Sequence, residues 1–111
     1  MVSEREIRKV QLANGKVPFD EWYRSLADKH VQAAVAGRLA RVRAGNFGQH
    51  RHVGDGVNEL KIDIGPGLRV YYAEYRRNIV LLLGGGDKST QERGIARAIR
   101  LWKQFEAFPK K

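Results

Sequence analysis

Apolar and polar positions change rhythm near the middle of the chain. In the first half the apolar residues return every three or four positions. Phe19, Trp22, Tyr23 and Leu26 fall on one face of a helix over 18–28, entered at Pro18, where a missing backbone N–H breaks no helical bond. Val31, Ala34, Val35, Leu39 and Val42 repeat the pattern and predict a second helix over 30–44, ended by Gly45. Ahead of both, Ile7, Val10 and Leu12 stand among polar residues and read as an edge strand within 4–12. Asn14-Gly15 marks the turn after it.

From Val57 the period becomes two. Residues 57–64 alternate as a half-buried strand does, Gly65-Pro66-Gly67 turns the chain, and 68–75 runs back. Arg76-Arg77-Asn78 forms the next turn. The apolar run Ile79–Leu83 suits a strand buried on both faces, and the triple glycine Gly84–Gly86 is expected to end it. Ile95, Ala98, Ile99, Trp102 and Phe105 then share one face of a helix over about 90–106, with Ser89 as N-cap and Glu92 completing a capping box. Arg93, Arg97 and Arg100 lie together on its opposite face. The order β-α-α-β-β-β-α predicts an α+β fold, with helices packed on one small antiparallel sheet, in one domain over 1–111.

Composition narrows the chemistry. At 111 residues and 42% hydrophobic the chain can bury one modest core. It has no cysteine, which excludes disulfides, cysteine-ligated zinc and thiol catalysis. No His-Glu-x-x-His or similar cluster suggests a metal, and no cofactor motif is present. The apolar run at 79–83 is too short for a bilayer, and the charged start lacks a signal-peptide core, so a cytoplasmic protein is expected. Lys and Arg total 21 against 12 Asp and Glu, a net charge of +9. Such a field attracts polyanions, and RNA is the partner the clustering favours.

Three groupings could use that charge. From Lys29 to Gly54 there is no acid, while Arg38, Arg41, Arg43, Arg51 and all three histidines, His30, His50 and His52, lie there. As a set they read as an RNA-docking patch, with one exposed tyrosine expected from Tyr71 and Tyr72, and Tyr71 offered as a base-stacking residue. Lys61 and Arg69 come from adjacent strands and could hold one phosphate between them; equally they could form ion-pair ladders with Glu59, Asp63 or Glu74. Lys88, Ser89 and Thr90 follow the glycines at a helix start, which is either an anion contact or a plain capped connection. It is not a Walker loop, because Asp87 stands where that motif needs glycine.

Three segments together resemble a known family. They are Gly54-Asp55-Gly56-Val57-Asn58-Glu59-Leu60-Lys61-Ile62, Gly65-Pro66-Gly67-Leu68-Arg69-Val70-Tyr71-Tyr72, and Leu81 through Gln91. They are similar to the RelE/HigB-type toxins of type II toxin–antitoxin systems, and most similar to the phage-derived branch called addiction-module killer proteins. The resemblance implies a RelE-like fold and a ribosome-dependent, metal-independent mRNA endoribonuclease that inhibits translation. It implies attack of a ribose 2′-OH on the adjacent phosphate. It carries over Lys61, Arg69 and Lys88 as catalytic cations. The acid and base are left open, and His50 or His52 is offered for one of these roles only from its place in the basic stretch. It also implies a helix-turn-helix antitoxin from a neighbouring gene and operator DNA bound only through that antitoxin. The arginine stripe Arg93, Arg97 and Arg100 is the expected surface for that antitoxin to mask. The chain departs from RelE in having Glu59 where that toxin has a second lysine, and no tyrosine after Tyr75. A ParE-like gyrase inhibitor, or an inactive toxin fold that binds only its antitoxin, are the competing expectations.

Overall fold

The structure, a computed structural model, describes residues 4–107. Its elements are β1 (Glu6–Lys9), α1 (Pro18–Ser25), α2 (Lys29–Arg43), β2 (His50–Gly54), β3 (Val57–Ile62), β4 (Leu68–Tyr75), β5 (Ile79–Asp87), a short 3₁₀ turn (Lys88–Thr90) and α3 (Gln91–Ala107). The strands form one sheet in the order β1-β5-β4-β3-β2. β2 to β5 make an antiparallel meander, and β1 joins β5 in parallel at the edge. The class is α+β, and the sheet is mostly antiparallel as the alternation predicts.

Helices cover both faces. Phe19 of α1 and Val35 and Val42 of α2 pack on Leu60, Val70, Tyr72, Val80 and Leu82. Ala98, Leu101 and Trp102 of α3 pack on Val57, Tyr71, Ala73, Leu81 and Leu83. Alternate residues of each central strand therefore enter different cores, which is why β4 and β5 read as nearly continuous apolar runs. Each fully buried Val or Leu contributes about 1.5–3 kcal/mol of transfer free energy. The same two-sided cover corrects the expectation for the tyrosines: Tyr71 and Tyr72 do face opposite ways, but each is only 1% exposed.

Three boundaries differ from those the pattern suggests. β2 has no apolar alternation and its first three residues are exposed, so nothing in His50–Gly54 announces a strand; its pairing with β3 makes it one. β5 does not stop at the glycines. Gly84, Gly85 and Gly86 stay in register with Tyr71, Val70 and Arg69 of β4. A Cβ on Gly85 would lie 2.3 Å from the Trp22 ring, so glycine there is what lets α1 close on the strand. Finally, the cap before α3 is Asp87 rather than Ser89. Its carboxylate accepts from Thr90 N at 3.1 Å and Ser89 Oγ at 2.6 Å, and the Ser89 hydroxyl above all holds its pKa below the usual carboxylate value.

Candidate active site

The β2-β3-β4 ladders fix which side chains meet. Arg51 pairs with Glu59, Glu59 with Tyr71, and Lys61 with Arg69. Cross-strand partners share a face, and Tyr71 belongs to the core beneath α3, so Arg51, Glu59, Lys61 and Arg69 all project on the α3 side. There they line a cleft of about 310 Å³, together with Gln91 from the first turn of α3.

Glu59 is the floor of this cleft, with its side chain 2% exposed. Its Oε1 lies 2.7 Å from Arg69 Nε, an ion pair whose N–H is not aimed along a hydrogen-bond direction. Arg51 Nε donates to Oε2 at 2.9 Å, and Gln91 Nε2 donates to Oε1 at 3.0 Å. A buried carboxylate is tolerable only with such company. Arg69 also donates from Nη1 to Gly67 O at 2.6 Å. Its guanidinium is thus held by a carboxylate on one side and a turn carbonyl on another, which leaves Nη2 as its uncommitted group. Arg51 and Lys61 keep 63% and 42% of their side chains exposed at the mouth. Lys61 Nζ stands 3.7 Å from Asp63, a loose surface pair that leaves it free to bind something else. Three cations around one buried carboxylate make a positive, partly dry hollow suited to a phosphate group.

The other expected site residues divide. Lys88 is exposed and lines a separate shallow hollow beyond Gln91, so it does not join Lys61 and Arg69 in the cleft. Arg38 is not an RNA contact. It is 7% exposed, and its guanidinium donates to Phe47 O and, at 2.7 Å, to Gln49 O, tying α2 to the loop before β2. Burial, and then nearby Arg41, push its pKa down. Arg41 and Arg43 are exposed on α2, across the sheet from Arg51, so the acid-free stretch is split between two faces. His52 pairs with Asn58 and His50 with Leu60, on the α1–α2 side. The His50 ring packs on Phe47 there, and the His52 ring lies 3.3 Å from Asn58 Oδ1. His50 also contributes to the lining of the Glu59 cleft, whereas His52 does not.

Tyr71 is likewise no stacking platform. Its ring lies under Gly94 of α3, and its hydroxyl is buried with no hydrogen-bond partner among the described residues. Burial, reinforced by the charge of Glu59, pushes its pKa up to about 12, so it stays protonated at any ordinary pH. Gln91 is the cleft residue that sequence reasoning missed as a participant. It stands 32 residues beyond its partner Glu59, and only the path of α3 brings the two together. Among the described residues no group of three or more His, Cys, Asp or Glu could hold a metal, and no helix is long and apolar enough to cross a membrane.

With this geometry in place, known proteins add one relationship. No family model matches the chain. An uncharacterized protein of Haemophilus influenzae is 44% identical over 80 residues, covering 72% of this chain and 81% of that protein. The chain belongs to that protein's family.

Proposed function

We propose that the chain is the toxin of a type II toxin–antitoxin pair, and that it cleaves mRNA on the ribosome without a metal. The observation that carries this reading is the Glu59 floor, which holds Arg51 and Arg69 at one cleft beside the exposed Lys61. The resemblance of the hairpin and of the Gly84–Gln91 segment to RelE/HigB-type toxins supports it, as does the net charge of +9. In the reaction the ribose 2′-oxygen bonds to the adjacent phosphorus, and the bond from phosphorus to the 5′-oxygen breaks. The products are a 2′,3′-cyclic phosphate and a 5′-hydroxyl. The 2′-OH gives up a proton to the surroundings, and the departing 5′-oxygen takes one. Arg51, Lys61 and the Nη2 group of Arg69 stabilise the charge that builds on the phosphate, and Lys61 is the group proposed to protonate the 5′-oxygen. Glu59 acts as a positioning residue, since two guanidinium groups and Gln91 already occupy its oxygens. A helix-turn-helix antitoxin is the expected partner, and operator DNA is reached through it.

The test is primer extension on mRNA from a translating extract given the purified chain, with Lys61→Ala beside it. New 5′ ends inside codons that vanish with Lys61→Ala are the expected result. Intact mRNA together with blocked DNA supercoiling would replace this reading with a gyrase poison. Intact mRNA and normal supercoiling would leave only antitoxin binding.

A further inference from the structure

A second concavity is larger than the Glu59 cleft. It is a groove of about 660 Å³ on the other side of the first turn of α3. Its walls are Trp22 and Leu26 from α1 and its exit, Val31 from α2, and Pro66 from the β3–β4 turn, over a floor at Leu68. Trp22, Leu26 and Val31 are half-buried and Pro66 is exposed, so apolar surface faces water here. One rim is formed by Arg93 and Arg97, one turn apart on α3. Both are exposed, and neither forms an ion pair among the described residues.

From this groove we infer a docking site for a partner protein, occupied by an acidic peptide segment that carries bulky apolar side chains. The apolar trough takes the side chains, and the two free guanidinium groups take the carboxylates at fixed spacing. RNA fits it less well. Two carboxylates, Asp28 and Asp87, also line the groove. Both are fixed in place as helix caps, Asp28 through His30 N at 2.7 Å and Asp87 through Thr90 N at 3.1 Å. RNA carries a charge at every nucleotide and would have to run past them, whereas a peptide can set its few carboxylates against Arg93 and Arg97 and lay apolar side chains along the rest of the groove. The Trp22 ring, moreover, is pressed against Gly85 and tilted on Phe19, which leaves it poorly placed as a stacking platform. This inference does not rest on RNA cleavage, since the Glu59 cleft and the groove share no residue.

The experiment selects short random peptides displayed on phage against the full chain, then measures binding of the recovered peptides by tryptophan emission. Trp22 stands in the groove, while Trp102 is buried in the opposite core and supplies a constant background. Recovered peptides should combine Asp or Glu with Leu, Ile, Met or aromatic residues, and should shift the emission. Their Kd should rise about tenfold or more in Arg93→Glu/Arg97→Glu, a loss of about 1.4 kcal/mol. Leu26→Asp should weaken them as well. Arg41→Glu/Arg43→Glu, which changes net charge equally on α2, should leave them unaffected. Arg93 and Arg97 are exposed and form no ion pair among the described residues, so the α3 double variant is expected to keep the fold, which its circular dichroism spectrum checks. An absence of enriched peptides, or peptides that bind the α3 double variant unchanged, overturns the proposal. So does a short oligouridine that shifts Trp22 and loses that effect in the same variant while peptides do not bind, which would make the groove a nucleic-acid face. Because the mRNA assay uses Lys61→Ala, failure here leaves the cleavage reading standing, and the converse also holds.

Discussion

Glu59 Oε1 lies 2.7 Å from Arg69 Nε, with 2% and 8% of the two side chains exposed. Removing one member of such a pair strands the other charge out of water, which typically costs about 3–5 kcal/mol, whereas replacing both with apolar residues is often close to neutral. Arg69→Ala and Glu59→Ala should therefore each lower stability by about that much in urea unfolding. The double variant Glu59→Leu/Arg69→Met should lose less than either. Additive losses in the double variant would show that the two side chains act independently.

Lys61 should behave in the opposite way. Among the described residues its only ion pair is the exposed one to Asp63, and pairs of that kind contribute about 0–1 kcal/mol. Lys61→Ala should unfold at nearly the wild-type urea concentration yet lose about 100-fold or more in cleavage, the usual cost of removing one group that stabilises charge in a transition state. A stable variant with full cleavage would remove Lys61 from the reaction.

The buried Tyr71 hydroxyl gives a prediction about alkaline pH. Its pKa is raised in the fold to about 12 from the ordinary 10.0, so the folded state holds the proton more tightly than the unfolded chain. This contribution is complete below pH 10 and is lost as pH rises from there towards 12. Tyr72 is shifted upward as well, chiefly by burial, and adds to the same loss. In Tyr71→Phe the alkaline fall in melting temperature should become shallower. At neutral pH the variant should be no less stable, and up to about 1 kcal/mol more stable, because the hydroxyl it removes has no partner among the described residues. A less stable Tyr71→Phe would reveal a bound water satisfying that group.

Two helical glycines should respond with opposite signs. Nothing lies within 4 Å of a Cβ placed on Gly37 in α2, so Gly37→Ala should stabilise by roughly the helix-propensity difference, about 1 kcal/mol. A Cβ on Gly94 would sit 2.7 Å from the Tyr71 ring, so Gly94→Ala should destabilise by about 1–3 kcal/mol despite the same propensity gain. Adding Tyr71→Leu should recover part of that loss. Thermal melts of the three variants decide it.

Much of the scaffold was readable from periodicity because both rhythms are strong. The helical faces at Phe19 and Val35, the alternation at Val57–Ile62 and the stripe at Ala98 and Trp102 each report burial directly. What could not be read came from pairing at a distance. β2 is exposed and basic, and it is a strand only because β3 offers it an edge. The glycines after Leu83 look like a break because nothing local shows that Trp22 must fit against them. The candidate site was half legible. The Lys61–Arg69 pairing follows from a tight hairpin, and so does the alternative of an ion pair to Glu59. The structure joins the two, because Glu59 anchors Arg69 while Lys61 stays at the mouth. Charge alone could not separate Arg38, which serves a loop, from Arg51, which serves the cleft.

The parallel seam between β1 and β5 has a consequence for how the molecule assembles. β2 to β5 pair with sequence neighbours, so that meander can zip from local turns. β1 instead finds Ile79–Leu82, with Glu6 paired to Ile79, 73 residues further on, and Arg5 and Glu6 bond to the backbone of Arg43 and Asn78. Closing so long a loop is slow compared with forming hairpins. During synthesis the first strand must therefore wait outside the sheet until β5 has left the ribosome. Its arrival on β5 completes the sheet.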